Sequence, residues 1–299
     1  MKNRVIFIVG STATGKSRTA IELAREINGE IISCDSMQIY KGMPILTQAP
    51  SEKDRKGIPH HLMSEVPPDK EYSAAEFSKR AAKLIKNIIK KRKTPIVVGG
   101  TGLYVKALVD GLFPSPKKDL DLRKNLESEA ARYGSAFLYD ELKEIDPEAS
   151  HNIHPNDTRR IIRALEIYYS TGIPISVHKK NTKGIKDFYE IAQLGLNIPR
   201  QELYKKINAR VEKMFRDGLV RETKALFESN LSITAKSAIG IKEIRDYLGG
   251  KYNLKETKET LKKNTRRYAK RQSTWFKRDK RIKWFSDGKS LINYCRFAR

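Results

Sequence analysis

Gly10-Ser11-Thr12-Ala13-Thr14-Gly15-Lys16-Ser17 fits the spacing G-x-x-x-x-G-K-[ST]. The chemistry of such a loop is the binding of a phosphate chain. Its glycines allow a tight turn, and helix-opening N–H groups with the dipole behind them attract the anion. Lys16 adds a point charge, and Ser17 a hydroxyl for Mg²⁺. Asp35 is the second candidate, a carboxylate where a second strand should end. Open parallel sheets place their ligand crevice outside such ends, although an aspartate there also commonly caps a turn. Thr101 follows Gly99-Gly100 in the slot where many P-loop NTPases carry a metal-binding aspartate. The glycines leave room for a flat or bulky substrate to approach the backbone, or they serve packing alone. His60-His61 do not read as a metal pair, because neighbours on an extended segment point to opposite faces.

Periodicity gives the scaffold around these groups. Val5–Val9 reads as a buried strand running into the loop, residues 17–27 as a helix, residues 30–34 as a second strand and 95–98 as a third. A helix over 73–92 separates the last two, after an irregular, proline-rich stretch over 41–72. Pro114, Ser115 and Pro116 break the alternation. From Asp119 to about Thr171 the chain reads as helical throughout, with helices over 121–133, 136–145 and 158–170. A strand returns over 191–197, and the rest is largely helical. The pattern predicts an α/β fold: a P-loop NTPase-like core whose parallel sheet is flanked by helices, with an inserted all-helical domain. The core takes residues 1–115 and 190–299, the insertion 116–189.

Composition narrows the partner. Sixty Lys and Arg against 35 Asp and Glu give a net charge of +25. Residues 255–299 alone carry 16 basic and 4 acidic side chains. Charge this uneven points to a polyanion, and nucleic acid fits it better than a membrane surface. A basic helix with Leu254, Leu261, Tyr268 and Trp275 as its packing stripe fits that partner. The helix over 158–170 adds Arg159, Arg160 and Arg163, the first and last on one face, with Ile161 and Ile162 supplying apolar contact. No run of apolar residues is long enough for a membrane span. Cys34 and Cys295 form no metal or disulfide pattern, which fits a reducing cytosol and a cytoplasmic protein. No apolar stripe is left over, and a monomer is expected.

Taken in order, further segments join the loop: Asp35-Ser36-Met37-Gln38-Ile39-Tyr40-Lys41-Gly42, Gly57-Ile58-Pro59-His60-His61-Leu62, and Gly99-Gly100-Thr101-Gly102-Leu103-Tyr104. His154-Pro155-Asn156-Asp157 with Arg159, Arg163-Ala164-Leu165-Glu166, and Thr265-Arg266-Arg267-Tyr268-Ala269-Lys270-Arg271-Gln272 complete the set. Over about residues 4–285 the sequence closely resembles the tRNA dimethylallyltransferases, or tRNA isopentenyltransferases. The resemblance implies transfer of a dimethylallyl group from dimethylallyl diphosphate to the exocyclic N6 amine of the adenosine 3′ to the anticodon. Diphosphate is then the leaving group, with Gly10 to Ser17 around it and Mg²⁺ beside Ser17. By the same resemblance Asp35 accepts the amine's proton, Thr101 lies near the adenine, and Lys16 faces the leaving group. Asp35, Ser36, Met37, Gln38, Thr101, Arg123 and the run Arg159, Arg160, Ile161, Ile162, Arg163 match positions that contact the tRNA anticodon stem-loop. The family's inserted domain closes over that arm. Two segments depart from the family: Met63-Ser64 after the histidines, and residues 237–242, which match only loosely. The loop by itself also fits ATP or another nucleotide. A P-loop kinase of nucleosides or small metabolites, and a non-enzymatic RNA-binding protein with an inert nucleotide site, are the competing readings.

Overall fold

The computed structural model describes residues 3–113, 116, 119–180 and 182–297. Strand β1 (Arg4–Gly10) is apolar at successive positions because both of its faces are covered, and Val5 to Val9 are buried. It runs into helix α1 (Lys16–Glu26), which buries Ala20, Ile21, Leu23 and Ala24. Strand β2 (Gly29–Ser33) follows. The stretch expected to be irregular holds two one-turn helices, α2 (Pro44–Thr47) and α3 (Glu52–Arg55), and a two-residue strand, β3 (His60–His61). A strand this short shows no period in a sequence, and it exists here through pairing with Ile31 and Ile32. Helix α4 (Ala74–Lys90) starts at a Ser73 cap and buries Phe77, Ala81, Ile85 and Ile88, a stripe of helical period. Strand β4 (Thr94–Gly99) and helix α5 (Gly102–Asp110) lead to the insertion.

The chain resumes with β5 (Glu190–Leu196), α11 (Arg200–Arg216), α12 (Leu219–Leu226), α13 (Ile233–Lys236), α14 (Ile241–Leu248), α15 (Leu254–Lys277), β6 (Lys283–Phe285) and α16 (Gly288–Phe297); α6 to α10 lie in the insertion. The sheet order is β3-β2-β4-β1-β5-β6, and every pair is parallel. After β1 the chain turns to the β2 side, returns through β4, and continues on the far side with β5. The carboxyl ends of β1, β2 and β4 therefore open onto one crevice. The core against α1 and α16 holds Ile6, Ile8, Leu23, Ile96, Leu194 and Leu291.

The packing stripe expected on α15 is corrected. Leu261 is buried, but Leu254 and Trp275 are exposed, and the helix buries Thr257, Leu261, Ala269, Gln272 and Phe276. A strict seven-residue repeat drifts by about 20° per heptad on a straight helix. Over this length its ends rotate off the buried face, while positions near a 3.6 period stay on it.

Asp110–Asp187 forms a compact unit of its own, starting and ending earlier than the 116–189 read from the sequence. Gly111 packs on the backbone of Lys183, and Lys186 Nζ lies 3.1 Å from Asp110, so the two ends of the unit meet there. The break placed at Pro114-Ser115 lies outside the described residues. Helices α6 (Leu120–Tyr133), α7 (Ser135–Ile145) and α9 (Thr158–Thr171) form where periodicity put them. Two short helices, α8 (Pro147–Asn152) and α10 (Ile175–Lys180), are additional. Asp146 ties them together: one carboxylate oxygen accepts from Ala149 N at 2.9 Å, the other from Ser176 N at 2.9 Å. Leu126, Leu138, Leu142, Ile161, Ile162 and Leu165 form a core belonging to this unit.

Candidate active site

The loop after β1 takes its shape from two left-handed residues, Ala13 at φ 64° and Gly15 at φ 94°. Gly15 precedes α1 and turns the helix N-terminus toward the loop interior. Thr14 Oγ1 and Lys16 Nζ both donate to the Ser11 carbonyl, at 2.9 and 2.6 Å. Lys16 is crowded by protein, and desolvation lowers its pKa to about 7, with the Arg210 charge adding to the effect and Asp35 opposing it. Ser17 stands exposed at the first turn of α1.

Asp35 is placed by the sheet. Pairing of β2 with β4 runs past the end of β2, with Cys34 N donating to Val98 O and Thr101 N to Cys34 O. One Asp35 oxygen, Oδ1, accepts from Met37 N at 2.9 Å and Gln38 N at 3.3 Å. Thr101 Oγ1 accepts from Ser36 N at 3.1 Å. Gln38 is held too: Ser33 Oγ donates to its Oε1, and its Nε2 donates to Thr47 O. The glycines after β4 are explained by packing. A side chain at Gly99 would strike the Cys34 carbonyl, one at Gly100 the Gln272 amide, and one at Gly102 the Trp275 ring. Of the two reasons open for them in the sequence, close protein contact is the one the structure supplies.

Thr12, Ala13, Gly15, Lys16, Ser17, Asp35, Ser36, Met37 and Gln38 all line one cavity of about 730 Å³. Thr101 stands beside it through its bond to Ser36. Three wall residues come from the C-terminal helices: Tyr268 and Gln272 lie in the late motif over 265–272, where the sequence assigned them no role, and Arg210 lies in no motif. Arg210 donates from Nη1 to Thr12 Oγ1 at 3.0 Å; burial lowers its pKa, and Asp35 counteracts. Gln272 accepts from Thr12 N at 2.8 Å and donates to Gly100 O at 2.9 Å, bridging the two loops. Burial raises the Tyr268 hydroxyl pKa strongly and the Asp35 charge adds to it, against hydrogen bonds with Thr101 and Gln272. A signal for Arg210 existed: it occupies a slot of the apolar face formed by Leu203, Ile207, Val211 and Met214 on α11. Ser237, Ala238 and Ile239, from the loosely matching segment, also reach the cavity wall.

His60 and His61 serve the sheet edge. His60 Nδ1 lies 2.8 Å from Ile58 O, and His61 Nε2 2.8 Å from Glu30 Oε2. Among the described residues no group of three His, Cys, Asp or Glu could hold a metal. On α15, Arg267, Lys270, Arg271, Thr274, Trp275 and Arg278 form a basic notch with an exposed indole. In the inserted unit, Arg159 and Arg160 are exposed, the latter 3.2 Å from Asp157. Arg123 and Arg163 both lie against Glu166. Ile161 and Ile162, read as part of a contact run, have their side chains in the unit's core. They hold the arginine face in place from behind.

Residues 38–279 match the family model described as IPP transferase. A tRNA dimethylallyltransferase of Halothermothrix orenii is 48% identical over 285 residues, covering 94% of this chain and 87% of that one. Among solved structures, the full-length tRNA isopentenylpyrophosphate transferase of Bacillus halodurans is 40% identical, with TM-score 0.73 and coverage of 99% and 96%. A eukaryotic dimethylallyltransferase acting on tRNA is 35% identical, with TM-score 0.76 and coverage of 91% and 69%. With its parallel sheet, phosphate-type loop and facing carboxylate, this chain belongs to the IPP transferase family.

Proposed function

We infer that the protein is a tRNA dimethylallyltransferase, moving the dimethylallyl group of dimethylallyl diphosphate to N6 of the adenosine 3′ to the anticodon. One observation carries the site assignment: the phosphate-type loop and the Asp35 carboxylate line the same cavity. The chemistry needs these two parts and little else. The allylic C–O bond breaks as the N6–C bond forms. Its electron pair leaves with diphosphate, and the amine surrenders a proton.

Loop N–H groups, protonated Lys16 and Arg210 stabilise the charge that builds on the leaving group. Asp35 accepts the proton. Its Oδ1 is engaged by Met37 and Gln38 N–H groups, which fixes the carboxylate and leaves Oδ2 for the amine. Thr101, Ser36 and Gln38 orient the adenine, which must leave the base stack to be reached. The donor set suits Mg²⁺ bound mainly through substrate oxygens and water, with the Ser17 hydroxyl holding it from the protein side. When bound, the ion neutralises diphosphate charge. Arg123, Arg159, Arg160 and Arg163 of the inserted unit and the basic notch on α15 supply phosphate contacts to the anticodon arm. We assign the protein to the cytoplasm as a monomer, with two free, buried cysteines in keeping; among the described residues no helix is long and apolar enough to cross a membrane.

The test mixes protein, Mg²⁺, labelled dimethylallyl diphosphate and unmodified tRNA with adenosine after the anticodon, followed by nucleoside digestion. Label on that adenosine is the expected result. ATP consumption or a phosphorylated acceptor without label transfer would hand the site to a kinase.

A further inference from the structure

Helix α2 is a single turn whose start has no local side-chain cap. One turn of helix does not persist unaided. Pro44 has no N–H, and Thr47 N bonds to Met43 O at 3.0 Å, so Ile45 and Leu46 carry the two amides that need partners from outside the turn. Those partners come from α12. Glu222 sets one carboxylate oxygen against each: Oε2 accepts from Ile45 N at 2.8 Å, and Oε1 accepts from Leu46 N at 2.7 Å. The carboxylate is half-buried; burial raises its pKa, and the two N–H groups oppose the rise. No cation pairs with it among the described residues. Its work is to fix one turn of chain.

The far end of that turn faces the site. Thr47 O, a carbonyl at the end of the helix, accepts from Gln38 Nε2 at 3.3 Å. A carbonyl can only accept, so this contact sets the nitrogen of the Gln38 amide toward α2. The amide oxygen then faces Ser33, whose Oγ donates to it at 3.0 Å. One amide N–H is left for a ligand, on a residue that lines the cavity together with Leu46 and Thr47. A shift of α2 would move the Thr47 carbonyl and remove the contact that distinguishes the two ends of the amide.

We propose that Glu222 is a positioning residue for the adenine, acting through α2 on the Gln38 amide. The proposal rests on the reading that Gln38 contacts the base, and its test separates the two. Transfer by the full chain is measured with tRNA varied at saturating dimethylallyl diphosphate and then the reverse, with thermal unfolding alongside. Glu222→Gln keeps the shape but turns an amide nitrogen toward one of the two N–H donors. Glu222→Asp keeps the charge and draws the oxygens back by a methylene; it carries the test if Glu222→Gln does not fold. Both should lower kcat/KM for tRNA by about tenfold, the scale of one hydrogen bond, and leave KM for the allyl diphosphate unchanged. Charge alone predicts otherwise: Glu222→Gln makes the protein more cationic toward RNA, and Glu222→Asp changes nothing. Gln38→Ala should lose at least as much, and adding either Glu222 variant to it should have no further effect.

A parent-like kcat/KM for tRNA in either folded variant overturns the positioning role. So does a matching rise in KM for the allyl diphosphate, or a loss that persists in the Gln38→Ala background, since each marks general loosening of the cavity wall. Gln38→Ala that transfers like the parent overturns the proposal through its premise, by taking Gln38 out of the base contact.

Discussion

Lys16 is the residue whose charge the site controls most directly. Burial and Arg210 hold its pKa at about 7, against the pull of Asp35. An arriving diphosphate adds negative charge and raises that pKa, so binding above pH 7 must draw a proton from solution. Calorimetric titration with dimethylallyl diphosphate in buffers of different ionisation enthalpy should show net proton uptake near pH 8, reduced in Lys16→Met. Affinity should fall as pH rises through about 7, where the free ammonium is lost. At Asp35 the expected effect lies in the chemistry. Asp35→Asn keeps an oxygen for the Met37 and Gln38 N–H groups, so tRNA affinity should hold while single-turnover transfer falls by ~10²–10⁴-fold. Parent-like transfer would dismiss Asp35 as the base. Lys16 and Asp35 were legible in the sequence because each sits at a fixed step from an apolar strand. Arg210 showed only as a charge on the apolar face of α11, and its role depends on a fold that brings that helix to a loop 198 residues earlier.

Among the elements, α15 does more than carry charge. Its Gln272 joins the loop after β1 to the loop after β4 through two hydrogen bonds. Gln272→Ala removes both and leaves the buried Gly100 carbonyl short of a partner. It should cost ~1–3 kcal/mol in denaturant midpoint measurements and raise KM for the allyl diphosphate more than for tRNA. Equal rises in both would mean general loosening. The sequence placed α15 correctly as a helix, yet its heptad stripe misled about which side is buried, because a seven-residue repeat and a 3.6-residue helix part company over six turns. The short elements β3, α8 and α10 escaped for a different reason: they exist by tertiary pairing and capping, as at Ile31 opposite His60 and at Asp146. Long periodic elements such as α4 and α9 needed no such help.

Across the whole molecule, charge is sorted along the sheet. Asp35, just past the carboxyl end of β2, lies five positions on from Glu30 near the strand's start, about 16 Å of extended chain. Glu30 is buried, which by itself would raise its pKa, but hydrogen bonds from Lys93 and His61 outweigh burial and hold it below its ordinary 4.5. A depressed carboxylate contributes stability that is present above about pH 4.5 and lost as pH falls through the folded value. Thermal unfolding followed from pH 7 to 3 should show that loss, and Glu30→Gln should be less stable at pH 7 with a flatter acid limb. Its transferase pH profile near 7 should keep the parent's shape, since Lys16 belongs to the other end of the sheet. Identical acid limbs would remove Glu30 from the account.

The meeting of Gly111 with Lys183, and of Asp110 with Lys186, has a bearing on how such a chain is built. Seventy-eight residues leave the core and return to it at nearly one point. To the sheet, that detour amounts to a short loop, whatever its length, because loop closure costs little once the ends are joined by a folded body. The insertion can therefore lengthen, shorten or be exchanged as a cassette without disturbing strand order, so the surface offered to a macromolecular substrate can change while the small cavity that performs the bond exchange stays as it is.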